Sequence, residues 1–278
     1  MNVVRHNTAA EFLNLAGAWL ETAEAENNLI LGIAGFFASS EAVPNIQPYF
    51  LTIENKGNIL GAALMAPPRQ LLISDMADPA IIALADYMFA ESAPVPGLVG
   101  RNPKAELLAN YWTNRTGQSC RPKRSDRLYV CEHVEPLNSP PGQLRPASKN
   151  DQTLLTQWCA QFCLDAGIED ETVYFKARLP SMINNGSLFI WENNDAVAMA
   201  GFERQTAHGV AVSWVFTPAH LRRRGYATAC VAALTRRMIE FGKKFCCLYT
   251  DLANPTSNSI YQKIGYRPVC DVQHWTFE

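Results

Sequence analysis

The hydrophobic pattern is most readable in the second half of the chain. Gly209-Val210-Ala211-Val212-Ser213-Trp214-Val215-Phe216-Thr217 is rich in β-branched and aromatic residues, which predicts a buried strand. Past it, Val231, Leu234, Met238 and Phe241 recur every three or four positions, so 226–241 is predicted as an amphipathic helix with Gly242 placed to end it. Residues 245–250 read as a short apolar strand, 255–263 as a short helix, and 266–277 as returning strands. Upstream, 151–164 and 171–183 carry helical patterns. They lead into Ser187-Leu188-Phe189-Ile190-Trp191-Glu192-Asn193-Asn194-Asp195 and Ala196-Val197-Ala198-Met199-Ala200-Gly201, a strand, a tight turn and a strand. Strands alternating with helices predict an α/β protein with a mixed sheet.

The first half echoes this order. Tyr49–Gly57 leads into Asn58–Ala63 as a second strand-turn-strand, with Glu54-Asn55 standing where Glu192-Asn193 stands later. Asn102-Pro103 opens a helical pattern, as Asn254-Pro255 does, and each half begins with an Arg-containing strand, at Val3–Arg5 and Leu144–Arg145. Between them, Leu137-Asn138-Ser139-Pro140-Pro141-Gly142 has the chemistry of a linker. The expected organisation is therefore two similar domains, 1–136 and 143–278, joined by 137–142.

Composition narrows the function classes. A formal net charge of −2 over 278 residues gives no global reason for nucleic acid or an anionic membrane, so any anion site must be local. The apolar run Leu29–Ala38 is too short to span a bilayer, and the N-terminus lacks a basic segment ahead of an apolar core. Cysteines 120, 131, 159, 163, 230, 246, 247 and 270 form no CxxC pair and have no histidine cluster beside them. They read as reduced core residues of a cytoplasmic protein, with no metal site.

One stretch interrupts the ordinary pattern. After the strand ending at Thr217 comes Pro218-Ala219-His220-Leu221-Arg222-Arg223-Arg224-Gly225-Tyr226-Ala227-Thr228-Ala229, which then becomes the helix. A helix N-terminus carries unpaired N–H groups and partial positive charge, a ready anion site. Gly225 allows close backbone approach, Ala227 and Ala229 keep the first turn small, and the arginines add charge-assisted hydrogen bonds. The alternative is a solvated basic loop before a surface helix. No Gly-Lys-Ser/Thr ending and no three-glycine fingerprint is present, which removes the commonest nucleotide loops.

The spacing of Arg222, Gly225 and Ala227 resembles the Arg/Gln-x-x-Gly-x-Gly/Ala motif of GCN5-related N-acetyltransferases (GNAT). Asn254, Tyr261, Gly265 and Tyr266 resemble the family's second motif, with Ser257 where alanine is common. The resemblance covers roughly Gln143 to the C-terminus. It implies a mixed-sheet GNAT fold there, and a degenerate GNAT-like first half, since 74–100 lacks the arginine-glycine motif. It implies acetyl-CoA as cosubstrate, with backbone groups near Val215, Phe216 and Thr217 on the pantetheine arm and the Val215 N–H facing an oxyanion. The pyrophosphate would rest on Arg222, Arg223, Arg224, Gly225, Tyr226, Ala227 and Thr228, and Asn254 and Ser257 would complete the donor site.

Tyr261 is the implied general acid, because a phenol is closer in pKa to a thiol than a carboxylic acid is. The base is left between Glu203 and Asp251. Trp214 and Phe216 side chains are expected in the core, and Asn254 could equally cap a helix. The expected activity is acetyl transfer to a primary amine, direct and within a ternary complex. The other reading is a non-catalytic acyl-CoA sensor or scaffold. An amine-bearing acceptor is the implied partner, nucleic acid and membrane are not, and a homodimer stays open.

Overall fold

The computed structural model describes residues 1–39, 46–168 and 171–278, and one order of elements runs through it twice. The first pass is β1 (Asn2–His6), α1 (Ala9–Glu21), α2 (Asn28–Ser39), β2 (Tyr49–Asn55), β3 (Asn58–Met65), β4 (Leu71–Ile73), α3 (Asp78–Ala90), β5 (Gly97–Arg101), α4 (Lys104–Thr116) and β6 (Cys120–Cys131). The second is β7 (Gln143–Pro146), α5 (Gln152–Asp165), α6 (Thr172–Asn184), β8 (Leu188–Asn193), β9 (Asp195–Glu203), β10 (Gly209–Phe216), α7 (Tyr226–Glu240), β11 (Phe245–Asp251), α8 (Pro255–Ile264) and β12 (Arg267–Phe277). The Glu-Asn echo falls at the same place in both, the end of the strand that enters the hairpin.

By contacts the chain forms two units, and they do not follow a linear cut at 137–142. One comprises Met1–Tyr129 with Tyr249–Pro255 and Pro268–Glu278, the other Val130–Leu248 with Thr256–Arg267. Tyr249–Pro255 and the last strand group with the first unit, and the chain from Val130 groups with the second. Residues 266–277, expected as strands of the second half, supply the single strand β12, which pairs antiparallel with β5 from Val272↔Arg101 to Thr276↔Gly97. Two features receive it. A Cβ on Gly97 would fall 2.1 Å from the Trp275 carbonyl oxygen, so only glycine admits the strand there. Phe277 then stacks on Trp112 at 5.9 Å and joins the core that covers one face of the sheet.

The first unit's strands run in the order β1-β2-β3-β4-β5-β12-β6. β1 to β4 are antiparallel, and β4 and β5 are parallel. Helices α3 and α4 cover one face through Ile81, Leu84, Met88, Leu108 and Trp112. Helices α1 and α2 cover the other through Phe12, Leu20, Ile30 and Leu31.

The second unit repeats the scheme as β7-β8-β9-β10-β11, antiparallel until the parallel β10–β11 pair. Leu155 and Trp158 of α5 and Leu179 and Met182 of α6 pack on Ile190, Met199, Trp214 and Phe216. Helix α7 buries Tyr226, Cys230, Val231, Leu234 and Met238, the stripe its period predicts. Phe241 departs from that stripe: the helix has ended, and its ring is exposed beside the Arg237 guanidinium. Gly242, at φ 94°, stops the helix, with its N–H on the Ile239 carbonyl. Among the described residues no helix is long and apolar enough to cross a membrane, and no group of three or more His, Cys, Asp or Glu could hold a metal ion.

Candidate functional site

Strand β10 departs from the sheet in two ways. Its register with β9 slips by one residue between Ser213↔Gly201 and Phe216↔Met199, so Trp214 and Val215 form a bulge. Its parallel pairing with β11 covers Gly209–Ala211 against Phe245–Cys247 and, among the described residues, goes no further. The strand therefore runs on from Val212 to Phe216 with its β11 side unpaired. Trp214 takes φ 58°, which costs about 1–2 kcal/mol for a residue with a Cβ. Burying the indole against the Phe175 ring, 4.6 Å away, offsets that cost. The core role expected for the Trp214 and Phe216 side chains is the one observed.

Two hydroxyls along this stretch, Ser213 Oγ and Thr217 Oγ1, are buried with no hydrogen-bond partner. Each such group costs about 1–3 kcal/mol, a cost that a bound hydrogen-bonding ligand removes. They were not separable by sequence, because a strand serine or threonine carries no mark of an unmet partner.

The chain then turns. Residues Ala219–Leu221 form one 3₁₀ turn, Arg222 is extended, and Arg223 and Gly225 take left-handed φ values of 63° and 82° before α7 begins. Alternating conformations of this kind gather successive N–H groups into a concavity suited to an anion. Gly225 caps α7 with no side chain, and a Cβ there would meet only Pro140, at 3.5 Å. Its positive φ, rather than crowding, selects glycine.

The side chains divide. Arg222 Nε donates to the Thr217 carbonyl at 3.0 Å, and its guanidinium pairs with Asp165 at the end of α5. Arg224 donates to the His220 carbonyl at 3.3 Å. Arg223 is exposed. The Tyr226 hydroxyl accepts from Asn193 Nδ2 at 3.2 Å, so this residue anchors the helix start to the hairpin tip and offers the turn its backbone. Ala227 and Thr228 follow, half-buried on the first turn.

The corresponding turn of the first unit lacks the arginine-glycine sequence. There β4 leads into α3, which opens with Asp78-Pro79 and has no glycine; Asp78 pairs with Lys104. A carboxylate in the first turn already interacts with the positive end of the helix, which leaves it a poorer anion site.

Tyr261 lies on α8, buried, with its ring edge-on to Tyr266 at 5.9 Å. Burial pushes its phenol up to about 12. Gly265, which follows α8, has φ 112°, and a Cβ there would lie 2.6 Å from the His133 carbonyl oxygen. Passage of residues 133–135 over this point, with the Glu135 N–H on the Ile264 carbonyl, accounts for that motif glycine. Ser257 is half-buried on α8. Glu203 ends β9 with both oxygens engaged, Oε1 by Arg204 and Oε2 by the Trp214 indole N–H at 3.5 Å. Asp251 and Asn254 lie on the segment Tyr249–Pro255, which groups with the first unit. Asp251 accepts from the Ala253 N–H at 2.7 Å, and Asn254 is exposed with its N–H on the Asp251 carbonyl. Val215, Phe216, Thr217, the arginine turn, Tyr261 and Glu203 thus share one unit, and Asp251 and Asn254 do not belong to it.

Comparison with known proteins bears on the fold. Residues 190–276 match the family model described as FR47-like protein. A search of curated proteins finds no match. A GNAT-family acetyltransferase from Colwellia psychrerythraea is similar over 100% of both chains, at 13% identity and a TM-score of 0.60. A tandem GNAT protein from the clavulanic acid biosynthesis pathway is similar over 100% of this chain and 98% of its own, at 12% identity and a TM-score of 0.59. A GCN5-related N-acetyltransferase from Sphaerobacter thermophilus covers 99% and 95%, at 12% identity and a TM-score of 0.63. The chain has the GNAT fold, repeated in tandem, and its residues 190–276 match the FR47-like model.

Proposed function

We propose that the second half binds an acyl-CoA, acetyl-CoA first among them, and transfers its acetyl group directly to a primary amine in a ternary complex. The observation that carries this reading is β10 itself. It leaves its parallel neighbour after Ala211, bulges at Trp214, carries two buried hydroxyls without a hydrogen-bond partner and runs into a glycine-headed helix start. Bound acetyl-CoA would supply the activated thioester. In this reading the N–H groups from Arg223 to Thr228 hold its pyrophosphate, with Arg222 and Arg224 adding charge. The backbone of Val215, Phe216 and Thr217 holds the arm, and the Val215 N–H faces the charge that develops on the carbonyl oxygen. Asn254 and Ser257 keep the donor-site roles implied by the second motif.

Tyr261 holds a proton throughout the neutral range and is the donor assigned to the leaving thiolate. The acceptor ammonium must first lose its proton, to Glu203, to Asp251 or to water. Glu203 can serve only by giving up one of its present partners.

That engagement of Glu203, with a phenol pushed above the thiol range, is what favours the second reading, an acyl-CoA sensor without turnover. One pair of assays separates the two. Acetyl-CoA at a hundredfold excess over Kd stabilises the native state by about 2.7 kcal/mol, seen as a raised melting temperature that Gly225→Glu abolishes. Free thiol released with an amine panel then marks the transferase, and binding without release marks the sensor. No thermal shift with any CoA species refutes both.

A further inference from the structure

Arg222, the first residue of the arginine motif, is already held in this structure. Its guanidinium pairs with Asp165, its Nε donates to the Thr217 carbonyl at 3.0 Å, and Asp165 is itself aimed by Gln161, whose Nε2 donates to Oδ1 at 3.1 Å. Asp165 ends α5, the helix whose Trp158 packs on Phe216 of the bulged strand at 5.7 Å. A carboxylate is thus fixed beside a turn whose N–H groups and arginines otherwise favour anions.

We propose that Asp165 is an internal competitor for the anion turn: it occupies Arg222 in the ligand-free protein and sets the affinity and salt sensitivity of phosphate binding. The inference rests on the acyl-CoA reading and adds a residue to it that neither motif contains. The pair is suited to exchange. Both side chains are partly exposed, at 44% and 31%, so holding them together stabilises the protein little. A pyrophosphate presents more charge to the same guanidinium, so Arg222 changes partner on binding and Asp165 is released from the turn.

The test is the affinity of CoA, by calorimetry, for the full chain and for Asp165→Asn, Arg222→Ala and the double variant, at two salt concentrations. Asp165→Asn is expected to tighten CoA binding about 2- to 5-fold, the size of an exposed ion pair. The gain should vanish in the Arg222→Ala background and shrink with salt. Unchanged or weaker binding by Asp165→Asn overturns the proposal, as does a gain that survives without Arg222. Absence of CoA binding in every protein, wild type included, instead refutes the acyl-CoA reading on which the proposal stands.

Discussion

Replacing Tyr261 by phenylalanine tests the burial of one hydroxyl and its chemistry together. The ring fits the same space, so stability at pH 7 should change by less than about 1.5 kcal/mol. At high pH the two proteins should diverge. The phenol ionises near its ordinary 10 in the unfolded chain and near 12 in the folded one. The unfolded state therefore loses its proton first, and stability falls as pH rises through that window. At pH 11 the unfolded phenol is about tenfold more ionised than neutral, while the folded one is about 10% ionised. Wild type then loses about 1.4 kcal/mol to this residue, approaching about 2.7 kcal/mol above pH 12. Urea unfolding at pH 8, 9.5 and 11 measures it, with Tyr261→Phe lacking that share of the decline. Tyr266, also pushed up by burial, titrates in both proteins and cancels from the difference. The same variant should lower acetyl transfer about 100-fold, the low end for a general acid whose pKa lies above its target. Parallel stability curves at pH 8 and 11 would refute the burial argument, and undiminished turnover would refute the acid assignment.

Gly265→Ala should cost about 3 kcal/mol in denaturant unfolding, because a Cβ at φ 112° would press on the His133 backbone and not on a side chain that can swing away. Asp151 tests the acid side. Arg145 grips both its carboxylate oxygens, at 2.8 and 2.9 Å, and with the Ser148 N–H and hydroxyl holds it down to about 2 from an ordinary 3.8. Its contribution is whole above about pH 4 and is lost as pH falls toward 2. Asp151→Asn should cost about 1–3 kcal/mol at pH 7 and flatten that part of the acid unfolding profile.

Periodicity carried the local elements. The stripe Val231, Leu234, Met238 found the buried face of α7, the β-prone run found β10, and the Glu-Asn echo marked two passes through one scheme. These are readable because burial of one face imposes a repeat of two or 3.6 residues on the chain itself. The glycine-headed turn was readable for a similar reason, since a positive φ at Gly225 restricts the residue type at that one position.

What the tertiary structure alone decided concerns residues far apart in the chain. The sequence reads 266–277 only as returning strands, and the place of β12 beside β5 follows from the missing Cβ of Gly97 and the ring of Trp112. Phe241 fits the helical period yet lies past the helix end, exposed. The left-handed turn at Trp214, the orphaned hydroxyls of Ser213 and Thr217, the engagement of Glu203 and the pairing of Arg222 with Asp165 leave no periodic trace. Each depends on which surfaces meet after folding, and a side chain's partner across 57 positions is set by packing rather than by its neighbours in sequence.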